Sequence, residues 1–343
     1  MKRWEFAQKQ ALPYEAKVNH ARLRAREFYE ALDGNVFCSV GGLDSITLLT
    51  FLRQEVSSEI TGVSVSSLED KSVQVVHRTF DNFTALTPYK SKVDVIREFG
   101  YPVISKQKAR KIELLQTPDC PKQTFIHAIM TGDMGKQGNF QHSEKLKLPE
   151  KWIELFGGLY NDHRPDILCK TAPFKVSDRC CYWMKEKPAD DYAKKHGAAP
   201  YLGLMASEGG QREMGLVKNG CNYFGKSVTR SCPFAIFNRQ DILQLAIDLH
   251  VQVPAIYGTI ERHPNGVLYT TRAQRTGCTM CGFGIHIEPR PHRFDRLRED
   301  NHKEWEFWMY RMGWGKVLDY IGVGWENPPD IQQVMDFKMM EAI

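Results

Sequence analysis

Asn35 to Leu52 reads NVFCSVGGLDSITLLTFL. Val36 and Phe37 have the β-branched and aromatic character of a buried strand. Gly41 and Gly42 follow, removing side chains where the backbone must bend sharply and approach a ligand. Asp44 and Ser45 then open a helix carried by Ile46, Leu48, Leu49, Phe51 and Leu52. The first N–H groups of such a helix lack internal partners, and they and the helix dipole both favour an anion. Ser39, Gly41, Gly42, Asp44 and Ser45 are therefore candidate phosphate-binding residues. No lysine stands in the turn, so it is not the common P-loop, which ends in Gly-Lys-Ser/Thr.

Working outward, the 343-residue chain is long enough for two domains, or for one large domain with additions. Its 42% hydrophobic and 25% charged residues are ordinary for a globular protein. A net charge of +5 suits an anionic ligand without requiring nucleic acid. No run of about 18 apolar residues reads as a membrane span. The start, MKRWEFAQKQ, carries no apolar leader. With nine cysteines, an odd number, a cytoplasmic location and metal or redox use of the thiols are expected rather than a disulfide framework.

Before the central stretch, Tyr14 to Leu32 has helical apolar spacing, and Lys17, Arg22, Arg24 and Arg26 read as its solvated face. After it, Ile60 to Val65 reads as a second strand with Ser66, Ser67 and Asp70 at its C-terminal end, where ligands of doubly wound sheets collect. Ser67 and Asp70 also fit a helix cap loosely. Lys90 to Phe99 reads as a helix. Tyr101 to Ile104 reads as a third strand, ending near Lys106, a candidate phosphate contact. From 116 to 174 the rhythm fades among prolines and glycines, which reads as an insertion. Tyr201 to Met205 reads as a strand, and Asn238 caps a helix running to Leu249. Strands alternating with helices imply an α/β fold with a mainly parallel sheet and helices on both faces. The expected division is an N-terminal helix (1–34), a nucleotide-binding domain (35–262) and a C-terminal segment (263–343) with an aromatic tail. That tail reads as core more readily than as a base-stacking surface.

Cys180 and Cys181 are adjacent, Cys278 and Cys281 form a Cys-x-x-Cys, and 96 residues separate the two pairs. Two such pairs can hold zinc or an iron–sulfur cluster. Adjacent cysteines crowd one small ion, whereas a cubane offers each sulfur its own iron, so a [4Fe–4S] cluster is expected. Gly277 and Gly282 leave N–H groups free to turn toward sulfur. Cys232 is a possible substitute ligand, and Cys38, Cys120, Cys169 and Cys221 read as structural.

The central turn resembles the pyrophosphatase loop, S-G-G-x-D-S, of the adenine-nucleotide α-hydrolase superfamily. Val40 stands here in place of its first serine, and Leu43 where a lysine is common. Cys180-Cys181 with Lys185 and Pro188 resembles the C-C-x-x-x-K-x-x-P segment of iron–sulfur adenylylsulfate and phosphoadenosine phosphosulfate (PAPS) reductases. Gly203 to Arg212 resembles that family's G-x-R-x-x-E-S-x-x-R stretch, with Met205 at the first arginine. Arg230 to Asp241, RSCPFAIFNRQD, resembles its Pro-aromatic-Asp segment. The resemblance covers roughly 35–110 and 175–285.

It implies a Rossmann-like fold and an enzyme of sulfur metabolism. The substrate would be PAPS, adenylylsulfate or ATP, held at the loop with Ser66, Ser67, Lys106, Lys185, Arg212 and Arg230. The cluster would sit on Cys180, Cys181, Cys278 and Cys281, a dithiol would supply electrons, Mg²⁺ would meet Asp44, and identical chains would associate. Reductases of the family use a C-terminal cysteine nucleophile. No cysteine follows Cys281 here, which makes Cys232, with Cys221 behind it, the candidate catalytic thiol beside Asp44 and Arg212. Two other readings are carried forward. One is an ATP pyrophosphatase that adenylates and thiolates tRNA or DNA. The other is a non-enzymatic, redox-sensing nucleotide-binding module.

Overall fold

A computed structural model describes residues 2–134, 142–226 and 228–327. The chain forms two compact units, Met1–Tyr89 with Met184–Thr279, and Lys90–Trp183 with Met280–Ile343.

The first unit begins with helices α1 (Arg3–Gln10) and α2 (Tyr14–Ala31). Strand β1 (Val36–Ser39) leads through the glycine turn into α3 (Leu43–Glu55). Then come β2 (Thr61–Ser64), α4 (Lys71–Arg78) and β3 (Phe83–Ala85). After the chain returns from the second unit, α5 (Lys187–His196), β4 (Ala199–Leu202), α6 (Gly210–Asn219), β5 (Asn222–Phe224), β6 (Thr229–Ser231) and α7 (Arg239–Asp248) complete the layer structure. A hairpin of β7 (Ile260–Arg262) and β8 (Leu268–Thr270) closes it.

The six-stranded sheet runs β3-β2-β1-β4-β6-β5, parallel except for the β5 edge. Phe37 lies opposite Thr61 on one side and Pro200 on the other, so β1 is central. The chain winds outward from β1 to β3, then comes back to β4 on β1's other side. That reversal opens a crevice at the C-terminal ends of β1 and β4. The fold is α/β, a mainly parallel sheet flanked by helices.

Packing explains the local choices. Helix α3 buries Ile46, Leu48, Leu49, Phe51 and Leu52, and even its Thr47, whose hydroxyl bonds the Leu43 carbonyl at 2.9 Å. Helix α2 turns Val18, Ala21, Ala25 and Phe28 into the same core. Two basic side chains of α2 depart from the solvated-face expectation. Lys17 is buried and donates to Asp241 at 2.8 Å, and Arg22 donates to Glu55. The acidic cap of α7 thus fixes α2 from inside, because a buried ammonium needs a paired charge.

The second unit has its own core, built on Trp152, Phe156, Trp305, Trp308 and Trp314, all buried. Most of the aromatic tail is thus core, with Tyr310 exposed. The 116–174 stretch contributes Ile126, Ile129, Met130 and Ile153 to it. The expected third strand is placed differently. Val103–Ile104 pairs in parallel with Gly282–Phe283 in the second unit, while Phe83–Ala85 takes the third position in the main sheet. Among the described residues, no helix is long and apolar enough to cross a membrane.

Candidate phosphate-binding site

The turn after β1 is held from several sides within the first unit. The Gly41 N–H donates to Ser45 Oγ at 2.7 Å, and that hydroxyl donates to the Gly42 carbonyl at 3.0 Å. Ser45 therefore shapes the turn. The Leu43 N–H donates to Tyr257 Oη at 3.1 Å, and Tyr257 shares a 2.6 Å hydrogen bond with Thr276. A Cβ on Gly42 would lie 2.2 Å from Tyr257 Oη, so only glycine lets the phenol cover the turn. Among the described residues, the N–H groups of Gly42 and Asp44 have no acceptor. Unpaired N–H groups at a helix start favour an anion.

His77 secures the turn from α4. Its Nε2 donates to the Gly41 carbonyl at 2.8 Å, which leaves Nδ1 to accept from the Ser66 hydroxyl at 2.9 Å. Burial pushes the imidazole below its usual range, against the opposing pull of the Gly41 carbonyl. Asp70, not Ser67, caps α4, accepting from the Ser72 N–H at 2.8 Å. Ser67 is exposed.

The loop after β4 meets the turn at the crevice. A Cβ on Gly203 would lie 3.2 Å from Ser45 Cα and 3.3 Å from its nitrogen. Around this contact sit two carboxylates and three guanidinium groups. Asp44 is paired with Arg239, whose Nη2 also donates to the Gln274 carbonyl at 3.0 Å. The Arg239 Nε is buried without a partner. Glu208, nearly buried, pairs with Arg212 at 2.5 Å and Arg275 at 3.3 Å. Burial pushes the Asp44 carboxyl above its usual range, and Glu208 adds to this, although Arg239 opposes it. On the other flank, Lys185 donates to Glu69 Oε1 at 2.6 Å, and a Cβ on Gly41 would lie 3.4 Å from that same oxygen. Burial alone would lower the Lys185 ammonium, but Cys278 and Glu69 beside it hold it above its usual range.

The structure therefore gathers Gly41, Gly42, Asp44, Ser45, Ser66, Lys185 and Arg212 around one crevice, with Ser39 at the end of β1 beneath it. His77, Glu69, Tyr257, Glu208, Arg239 and Arg275 join them. Arg230 lies in β6 toward α6, where a Cβ on Gly215 would sit 3.9 Å from its guanidinium. Lys106 opens a helix of the second unit. Cys232 does not reach the crevice as a reactive thiol. It is 1% exposed in the first core, and burial pushes it up to about 12. Cys221 is buried likewise and pushed up to about 11. A nucleophilic thiolate needs the opposite environment.

Of the four cysteines expected to bind a cluster, Cys278 belongs to the first unit and Cys180, Cys181 and Cys281 to the second. Among the described residues, no three His, Cys, Asp or Glu side chains are gathered to hold a metal ion.

No protein-family model matches the chain, and no curated protein matches it. Among solved structures it is similar to a PAPS reductase from Candida auris in a phosphate complex, with 10% identity and a TM-score of 0.34. The match covers 75% of this chain and 98% of that one.

Proposed function

We propose that the chain binds the phosphate or sulfate end of an adenine nucleotide at the turn between β1 and α3, and acts as a PAPS reductase-type enzyme. The observation that carries this reading is the crevice itself. The Gly42 and Asp44 N–H groups at the turn have no acceptor among the described residues, Gly203 lets the β4 loop lie against the turn, and Arg212, Arg239 and Arg275 surround it. Guanidinium forks suit bidentate binding of phosphate or sulfonate oxygens. The motif resemblance at Gly41–Ser45, Gly203–Arg212 and Arg230–Asp241 supplies the nucleotide and the sulfur chemistry.

In this reading a dithiol is oxidised to a disulfide while PAPS or adenylylsulfate yields sulfite and the adenine nucleotide. The iron–sulfur cluster and Mg²⁺ enter the proposal on sequence pattern alone, from Cys180-Cys181, the Cys278-Cys281 pair and Asp44. Iron and sulfide content, and the magnesium dependence of turnover, test them. The deciding experiment incubates anaerobically purified protein separately with PAPS, adenylylsulfate and ATP plus a dithiol, and assays sulfite and pyrophosphate. Sulfite is the expected product. Pyrophosphate from ATP without sulfite would overturn the reductase reading in favour of adenylation. Tight binding without turnover would leave a nucleotide-binding module.

A further inference from the structure

Away from the crevice, and sharing no residue with it, the first unit holds a cavity of about 400 Å³. Lys9 of α1, His20, Arg24 and Glu27 of α2, and the apolar Phe224 and Ile236 are among its walls. Two of these lining side chains each hold a buried polar atom with no hydrogen-bond partner, His20 Nδ1 and Arg24 Nε. Unsatisfied buried polar atoms are uncommon because each forfeits its hydration, so a pair on side chains lining one cavity points to a missing partner. Arg24 already spends Nη1 on Glu27 at 2.8 Å, which leaves the Nε–H edge of its fork. His20 is pushed down to about 4, first by burial and then by Lys9 and Arg24, so it is neutral at pH 7. Lys9 and Arg24 against Glu27 leave the lining with one net positive charge. A space this large exceeds the room one water or inorganic oxyanion fills and matches the lower range of organic-ligand pockets.

We propose that this cavity is a binding site for a small organic anion, a carboxylate or phosphate monoester on an apolar body. The anionic group sits against Arg24 Nε, His20 and Lys9, and the apolar body packs on Phe224 and Ile236. The site is independent of the nucleotide reading and holds whether or not that reading does.

The test is NMR titration of the full chain at pH 7, following the His20 imidazole resonance, assigned by His20→Gln. The probes are phenyl phosphate, benzoate and the uncharged benzyl alcohol. Because the resonance is local to the cavity, binding at the crevice does not register, and Asp44→Asn protein checks this. The two anions are expected to shift the resonance saturably and benzyl alcohol to leave it still. Arg24→Gln is expected to weaken binding about tenfold or more, the usual loss for a hydrogen bond to a charged group. Lys9→Gln, at an exposed position that the fold tolerates, weakens it by a smaller factor. A resonance unmoved by both anions overturns the proposal. So does unchanged affinity in Lys9→Gln together with equal response to benzyl alcohol.

Discussion

Gly42 shows how one missing side chain organises a site. Tyr257 Oη occupies the space a Cβ would need and accepts the Leu43 N–H. Gly42→Ala is expected to lower unfolding free energy by about 1–3 kcal/mol, the usual cost of overpacking. Tyr257→Phe removes the oxygen in the way, so the double variant should lose clearly less than the sum of the singles in urea unfolding. Strict additivity would show that Tyr257 is not the neighbour that matters. Asp44 carries the second residue-level prediction. Its carboxyl is raised in the folded state by burial, so its ionisation opposes folding as pH rises through the folded-state value. Asp44→Asn keeps an oxygen for Arg239 and removes that opposition. It should melt no lower than the parent at neutral pH while nucleotide turnover is lost. A lower melting temperature, or retained turnover, would remove Asp44 from the proposed role.

At the scale of elements, the helix Arg293–Asp300 shows a cap with a pH signature. Asp295 is buried and accepts from the His292 backbone N–H at 2.8 Å and from Arg290 at 2.6 Å. Burial alone would raise its carboxyl, but hydrogen bonds to His292 and Arg290 outweigh that and hold it down to about 2. A depressed carboxyl stabilises the fold above its unfolded value near 3.9 and loses that contribution as pH falls toward 2. The second unit should therefore lose about 2 kcal/mol across that interval through this group. Asp295→Asn should flatten the dependence of the urea midpoint between pH 4 and about 2. An equally steep curve in the variant would place the acid sensitivity elsewhere.

Elements also mark where sequence is informative. Strand β1, the turn and α3 are contiguous, so their pattern is local and legible, and so is the Asn238 cap of α7. Strand β3 has only three residues and no alternation to detect. Val103 and Ile104 have the character of a strand, but nothing local tells which sheet they join. The turn itself is readable, whereas His77, Tyr257, Glu69 and Arg239 reach it from distant segments. A single histidine or tyrosine in an apolar stretch carries no periodic signal. Arg239 reads simply as the first residue of a helix. Cys232 shows the converse, since its residue type suggests chemistry that its burial denies.

At the scale of the molecule, two separate cores imply two stability terms. Six of the seven tryptophans belong to the second unit, and Trp4 alone to the first. Tryptophan fluorescence therefore reports mainly the second core, while far-ultraviolet circular dichroism reports both. Nucleotide at a hundred times its dissociation constant should stabilise the first unit by about 2.7 kcal/mol. The dichroism transition should then move further than the fluorescence transition. Coincident transitions that move together would mean that the units unfold as one.

The strand order also sets a timetable on the ribosome. Val36 pairs with Ala199, about 160 residues later, and at about 5–20 residues per second the nascent chain carries β1 for roughly ten to thirty seconds before that partner is synthesised. Through that interval β2 can cover one side of β1, but the other side remains an open apolar edge bearing Phe37 and Cys38. The middle of the finished sheet is thus closed only after the chain has passed through residues 90–183, and a newborn chain stalled there displays that strand to chaperones and to other nascent chains alike.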